Sequence, residues 1–160
     1  MKKARTVVTV MIVLAAVLLG LHPCRPKYRY DVWKDSHEVY GDAEYQLMTD
    51  PDHSYSLYNH AISHTMLNDV EQYQNLGKFA YFYGKSPASW MEKAGLFAIL
   101  NAETNALQYV LDEDSAPSVQ REQMEEFVGK YCSDRAVTIT SLSELSDEEQ
   151  SILLQLRDKE

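Results

Sequence analysis

The chain has 160 residues, two cysteines, and 24 Asp/Glu against 15 Lys/Arg, for a formal net charge of −9. All 24 acids follow residue 30 while six of the Lys/Arg precede it, so residues 31–160 carry nine basic against 24 acidic side chains, a net of −15. That balance excludes the basic footprint of a nucleic-acid-binding domain, and two cysteines cannot build the disulfide framework of a small secreted scaffold.

The first element is the uncharged apolar run from Thr6 to His22, entered through Lys2, Lys3 and Arg5 and left through Arg25, Lys27 and Arg29. As a helix these residues measure about 25 Å, slightly under the ~30 Å of the hydrocarbon core. No small-x-small pair near residues 17–23 suits a signal peptidase, and Pro23 before Cys24 does not suit lipoprotein processing. The run therefore reads as an uncleaved signal anchor. It predicts a single-pass transmembrane helix over residues 6–22 in the cytoplasmic membrane, with the lipid bilayer as partner, the N-terminus inside and the C-terminal domain extracytoplasmic. Residues 1–27 are then tip, span and exit, and 28–160 form a single acidic domain, about 130 residues being enough for one core.

Along that domain, Tyr28, Tyr30 and Val32 alternate with Arg29, Asp31 and Trp33 in the period-two pattern of a strand. Tyr45, Leu47 and Thr49 alternate again, Asp50-Pro51-Asp52-His53 supplies turn chemistry, and Tyr55, Leu57 and Asn59 resume the pattern, which predicts a hairpin. Asn68 with Glu71 three residues on, then Val70, Tyr73 and Leu76 before Gly77, predicts a short helix. Phe79 to Tyr83, Leu96 to Leu100 and Leu107 to Leu111 read as three strands, the last two a hairpin at the centre of the sheet. Asp112 to Ser115 opens a helix with Pro117 in its first turn and a stripe of Val119, Gln123, Phe127 and Tyr131, flanked by Met124 and Val128. Val137 and Ile139 suit a short edge strand. Ser146 to Glu149 forms a capping box before Ile152, Leu153 and Leu156. The order predicts an α+β fold: an antiparallel sheet of about five to seven strands with two or three helices.

Candidate chemistry is sparse. His60 and His64 have the i,i+4 spacing that puts two imidazoles on one side of a helix, as a zinc site requires, but no Glu follows His60, and on a strand the rings stand roughly 13 Å apart. The acidic runs Asp112, Glu113, Asp114 and Asp147 to Glu149 lack the glycine of a calcium loop and sit where helix starts favour negative charge. No serine carries the flanking pattern of a nucleophile. Of eleven tyrosines, Tyr40, Tyr55 and Tyr58 near the first hairpin are the candidates for an exposed recognition patch.

Three functions follow from these features. The first is a membrane-tethered, non-enzymatic interaction domain outside the cytoplasmic membrane, binding a protein or peptide through those tyrosines and the Asp112–Asp114 acids. The second is an anchored immunity or inhibitor protein whose acidic surface neutralises a basic toxin. The third is a small metal-dependent extracytoplasmic hydrolase using zinc on His60 and His64. No other cofactor is indicated.

Overall fold

The computed structural model of the protein describes residues 28–87, 94–112 and 117–159. The expected span over residues 6–22 lies outside them, and among the described residues no helix is long and apolar enough to cross a membrane. The described part is a small α+β domain with one mixed sheet and two helices. The strands are β1 (Ser36–Tyr40), β2 (Tyr45–Thr49), β3 (Tyr55–Asn59), β4 (His64–Leu76), β5 (Phe79–Lys85), β6 (Gly95–Asn101), β7 (Ala106–Leu111) and β8 (Val137–Ser141). Helix α1 (Pro117–Tyr131) connects β7 to β8, and α2 (Asp147–Arg157) follows a 3-10 turn at Leu142–Glu144.

Spatial order equals chain order, and every neighbouring pair is antiparallel except β7 and β8, which run parallel. The expected all-antiparallel sheet of five to seven strands is thus corrected to eight strands with one parallel pair. The parallel pair follows from α1: a helical crossover returns the chain in its original direction, whereas a tight turn reverses it. The β6–β7 hairpin lies toward one edge and not at the centre.

Strands β5 to β7 are covered on both faces, which explains their near-continuous apolar sequences. Ala80, Phe82, Leu96, Ala98, Leu100, Leu107, Tyr109 and Leu111 enter the main core with Met124 and Phe127 of α1. The alternate residues Tyr81, Phe97, Ile99 and Val110 pack against Leu153 and Leu156 of α2. Tyr40, Tyr45, Leu47 and Leu57 close the main core from β1 to β3. Met124 and Phe127 of α1 are buried as the stripe predicts, but its start differs from expectation: Val119 is 56% exposed and Gln120 is buried instead. Gln120 earns its place by donating Nε2 to the carbonyl of Gly95 at 2.8 Å.

Two expected elements are corrected. Residues 28–35 form no strand. The buried Gln46 side chain captures this segment: its Nε2 donates to the Asp31 carbonyl (2.8 Å), and its Oε1 accepts from the Trp33 N–H (3.2 Å) and the Ser36 hydroxyl (2.7 Å). Arg29 and Tyr30 N–H groups both donate to the Asp42 carbonyl, so the segment's polar groups are met without a ladder.

Residues 68–76 are the second half of β4, not a helix. The register slips between Asn68 and Gln72, where Asp69 adopts φ +40°. Such a bulge shifts the period-two parity, so Val70 and Tyr73, three apart, both reach the main core and imitate helical spacing. Gly77, read as a helix stop, has the expected positive φ (+60°) but uses it in the β4–β5 turn.

The bulge lies close over β5. A Cβ on Gly84 would stand 2.8 Å from the Asn68 carbonyl oxygen and 3.0 Å from the Val70 Cα, both backbone atoms. Gly84→Ala is expected to cost about 1–3 kcal/mol through overpacking, read as a lower urea midpoint at unchanged slope. Undiminished stability would mean that β4 does not press on β5 there.

At the far end of the sheet, the buried carboxylate of Glu44 gathers Arg135 (3.4 Å), Asn59 (3.3 Å) and Asn105 (3.3 Å). The same network fixes the β1–β2 turn against β3 and the α1–β8 connection. Paired and hydrogen-bonded, the charge is tolerated in the interior.

Candidate functional site

A concavity lies beside the bulge that corrects β4. An open groove of about 850 Å³ runs between the β2–β3 turn and the end of β5, lined by Asp50, Asp52, Ser56, Asn68, Asp69 and Lys85 among others. The turn is held by its own side chains. Asp52 Oδ1 accepts from the Ser54 N–H (3.1 Å) and hydroxyl (2.7 Å), while Asp50 accepts from the Ser56 hydroxyl. His53 takes φ +70° between them. These bonds fix two carboxylates along one wall.

The opposite wall carries Asp69, placed by its left-handed backbone, with Lys85 Nζ 2.9 Å from its Oδ2. The Ser54 hydroxyl and N–H hold the Asp52 carboxyl below the usual carboxylate range, and hydrogen bonding to Asp69 holds the Lys85 ammonium above its ordinary value. The lining therefore presents three carboxylates against one ammonium that is already paired. Asn68 Nδ2 donates to the Ser86 carbonyl at 3.1 Å, closing the floor. Fixed acceptors and negative charge, with serine and threonine hydroxyls between them, suit hydrogen bonding to guanidinium or ammonium groups.

The residues singled out from sequence are distributed differently. Tyr40 belongs to no exposed patch: it is 6% exposed, its hydroxyl donates to Asn75 Oδ1 at 3.3 Å, and burial raises its pKa. Tyr55 and Tyr58 are half-buried in two separate ring groups. Tyr55 stacks near His37 (4.7 Å), which bonds the Tyr73 hydroxyl at 2.8 Å, whereas Tyr58 meets Trp33 (5.1 Å) and His60 (5.0 Å). Asp112 is not a surface charge. It is 3% exposed and accepts from Arg157 Nη1 at 3.1 and 3.3 Å, tying the end of β7 to α2. Glu113 and Asp114 lie outside the described residues.

His60 and His64 also part company. His60 sits in the β3–β4 turn against Trp33, Tyr58 and Tyr30, where desolvation pushes its pKa down, and His64 stacks on Tyr131 at 4.0 Å beside Phe127. Among the described residues no group of three or more His, Cys, Asp or Glu side chains is placed to hold a metal ion. Cys132 is buried and free, its thiol pushed up to about 11 by burial. A thiol so shielded is a poor nucleophile at neutral pH.

Sequence reasoning read Asp50 to His53 only as a turn and missed Asp69 and Lys85 as groove residues. The Asx turn was a usable signal for the first wall. The second wall depends on the bulge, for which the local sequence gives helical spacing instead. In comparisons with protein-family models, curated proteins and solved structures, nothing matches this chain.

Proposed function

We propose that the protein is a membrane-tethered, non-enzymatic interaction domain, held by residues 6–22 and facing outside the cytoplasmic membrane, whose acidic groove takes up a basic segment of a protein partner. The observation that carries this reading is the rigid display of Asp50, Asp52 and Asp69 around one open groove. The −15 balance of residues 31–160 adds a long-range field of the same sign, which speeds the approach of a cationic partner. The groove replaces the acids at 112–114 as the proposed contact, because Asp112 is engaged with Arg157.

The test uses the full chain in lipid nanodiscs against an array of peptides graded in Lys and Arg content. Basic peptides are expected to bind, and the on-rate to fall about tenfold as salt screens the attraction from low to several hundred millimolar. Asp52→Asn with Asp69→Asn should weaken capture by a similar factor while leaving the circular dichroism spectrum unchanged. Binding indifferent to both salt and the double substitution would sink the groove as the recognition site.

A further inference from the structure

Large apolar side chains exposed on the described surface are concentrated in one stretch of the chain. Three of the five, Tyr28, Val32 and Trp33, are 40%, 45% and 46% exposed and fall within six residues. They lie on the irregular segment that Gln46 pins down, so they are held out and not loose. The Trp33 ring is set by Tyr58 at 5.1 Å and, edge-on, by His60 at 4.4 Å. Arg29 lies 5.4 Å from the Tyr30 ring centroid, and Lys34 is exposed beside the patch.

Chain length limits where this face can be. Only residues 23–27 separate His22, the end of the apolar run, from Tyr28. Six backbone steps reach at most about 20 Å. Charge points the same way: residues 25–34 hold Arg25, Lys27, Arg29 and Lys34 against Asp31, a basic stretch on an otherwise acidic domain. Anionic headgroups attract that stretch and repel the remainder, which favours one orientation. Tyrosine and tryptophan rings, apolar with a polar edge, concentrate at the membrane–water boundary.

We infer that the face formed by Tyr28, Val32 and Trp33, backed by Tyr58, docks on the headgroup layer of the bilayer that holds residues 6–22. The inference rests on the tethered reading above and adds to it that the domain lies down on the lipid surface instead of standing off it. The segment from Tyr28 to Lys34 is then a membrane-contacting foot.

The experiment reconstitutes the full chain carrying Trp90→Phe, which leaves Trp33 as the sole tryptophan, into phosphatidylcholine–phosphatidylglycerol vesicles. Flotation establishes the tether. With acyl chains brominated near the headgroup, Trp33 emission is expected to be roughly halved relative to unbrominated vesicles, and aqueous iodide to quench it little, as for interfacial tryptophan. If Trp90→Phe fails to fold, the same quantity is the difference in quenching between the parent chain and Trp33→Phe. A chain that floats while iodide reaches Trp33 and bromine does not would overturn the inference but leave the tether standing. Protection from both quenchers would assign the patch to protein, either a second copy or another segment of this chain, and would overturn it equally. Failure to float would remove the tether and the lipid foot together.

Discussion

Replacing Phe97 by Ala is expected to destabilise the protein by about 3–5 kcal/mol, the range for deleting a fully buried aromatic ring. Phe97 is completely buried on the α2 side of β6, in one cluster with Tyr81, Ile99, Val110, Leu153 and Leu156, and its ring centroid lies 5.0 Å from that of Tyr83. That cluster is small, so few neighbours can move in to fill the space. The cost includes both lost transfer energy and an unfilled cavity. Urea denaturation measures it, with Val119→Ala on the exposed start of α1 as the comparison that should change little. A loss under about 1 kcal/mol at Phe97 would mean that α2 does not cover this face of the sheet.

Alkaline pH is expected to unfold the domain steeply. Burial raises the pKa of Tyr40, Tyr45 and Tyr109, and pushes the Cys132 thiol up to about 11, with Arg135 pulling it slightly back. For each of these groups the folded value exceeds the unfolded one. Its contribution to stability is therefore complete below the unfolded pKa and is lost as pH rises through the folded one. As pH rises past about 10 the unfolded chain gives up its tyrosine protons, having already lost that of the cysteine, while the buried tyrosines keep theirs and the Cys132 thiol holds its own until about 11; each fully retained proton costs about 1.4 kcal/mol per pH unit. Together they remove a sizeable part of the roughly 5–15 kcal/mol that stabilises an ordinary domain. Urea midpoints from pH 8 to 11 measure the slope, and phenolate absorbance follows the tyrosines. Ionisation of every tyrosine near its ordinary value with the fold intact would contradict the burial of these three rings.

Local signals were legible wherever the element depended only on its own residues and its neighbour in the chain. The β2–β3 hairpin, with Tyr45 opposite Asn59 and Thr49 opposite Tyr55, follows the alternation and turn chemistry read from the sequence. The last helix begins where Ser146 predicts: the Ser146 hydroxyl accepts from the Glu149 N–H, and the Glu149 carboxylate reaches back. Legibility failed where a distant group decided the outcome. Gln46, 13 residues beyond Trp33 in the chain, converts an alternating segment into a pinned irregular one. The β4 bulge turns strand spacing into apparent helix spacing.

For the site the same division holds. The Asp50–Ser54 turn was visible, but its partnership with Asp69 and Lys85 exists only because β4 slips register against β5. Asp112 looked like a helix-opening acid because its neighbours in sequence are acidic, whereas Arg157, 45 residues away, takes its carboxylate. Tyr40 failed as a recognition residue for a similar reason, since β1 turns its ring inward edge-on to Phe82.

The sequential order of the sheet governs how the molecule assembles. From β1 to β7 each strand joins the one formed just before it, so the loops to be closed are short and contact order stays low for a β-rich chain. A polypeptide emerging from its N-terminus finds every new strand's partner already in place. Only β8 must wait, because its pairing with β7 requires α1 to be made and laid down first. Until then β7 offers an open hydrogen-bonding edge whose side chains Leu107, Tyr109, Val110 and Leu111 are all destined for the interior. Docking of Val137–Ser141 is thus the step that covers this apolar edge, and a polypeptide interrupted before it would keep β7 open to pairing with another chain.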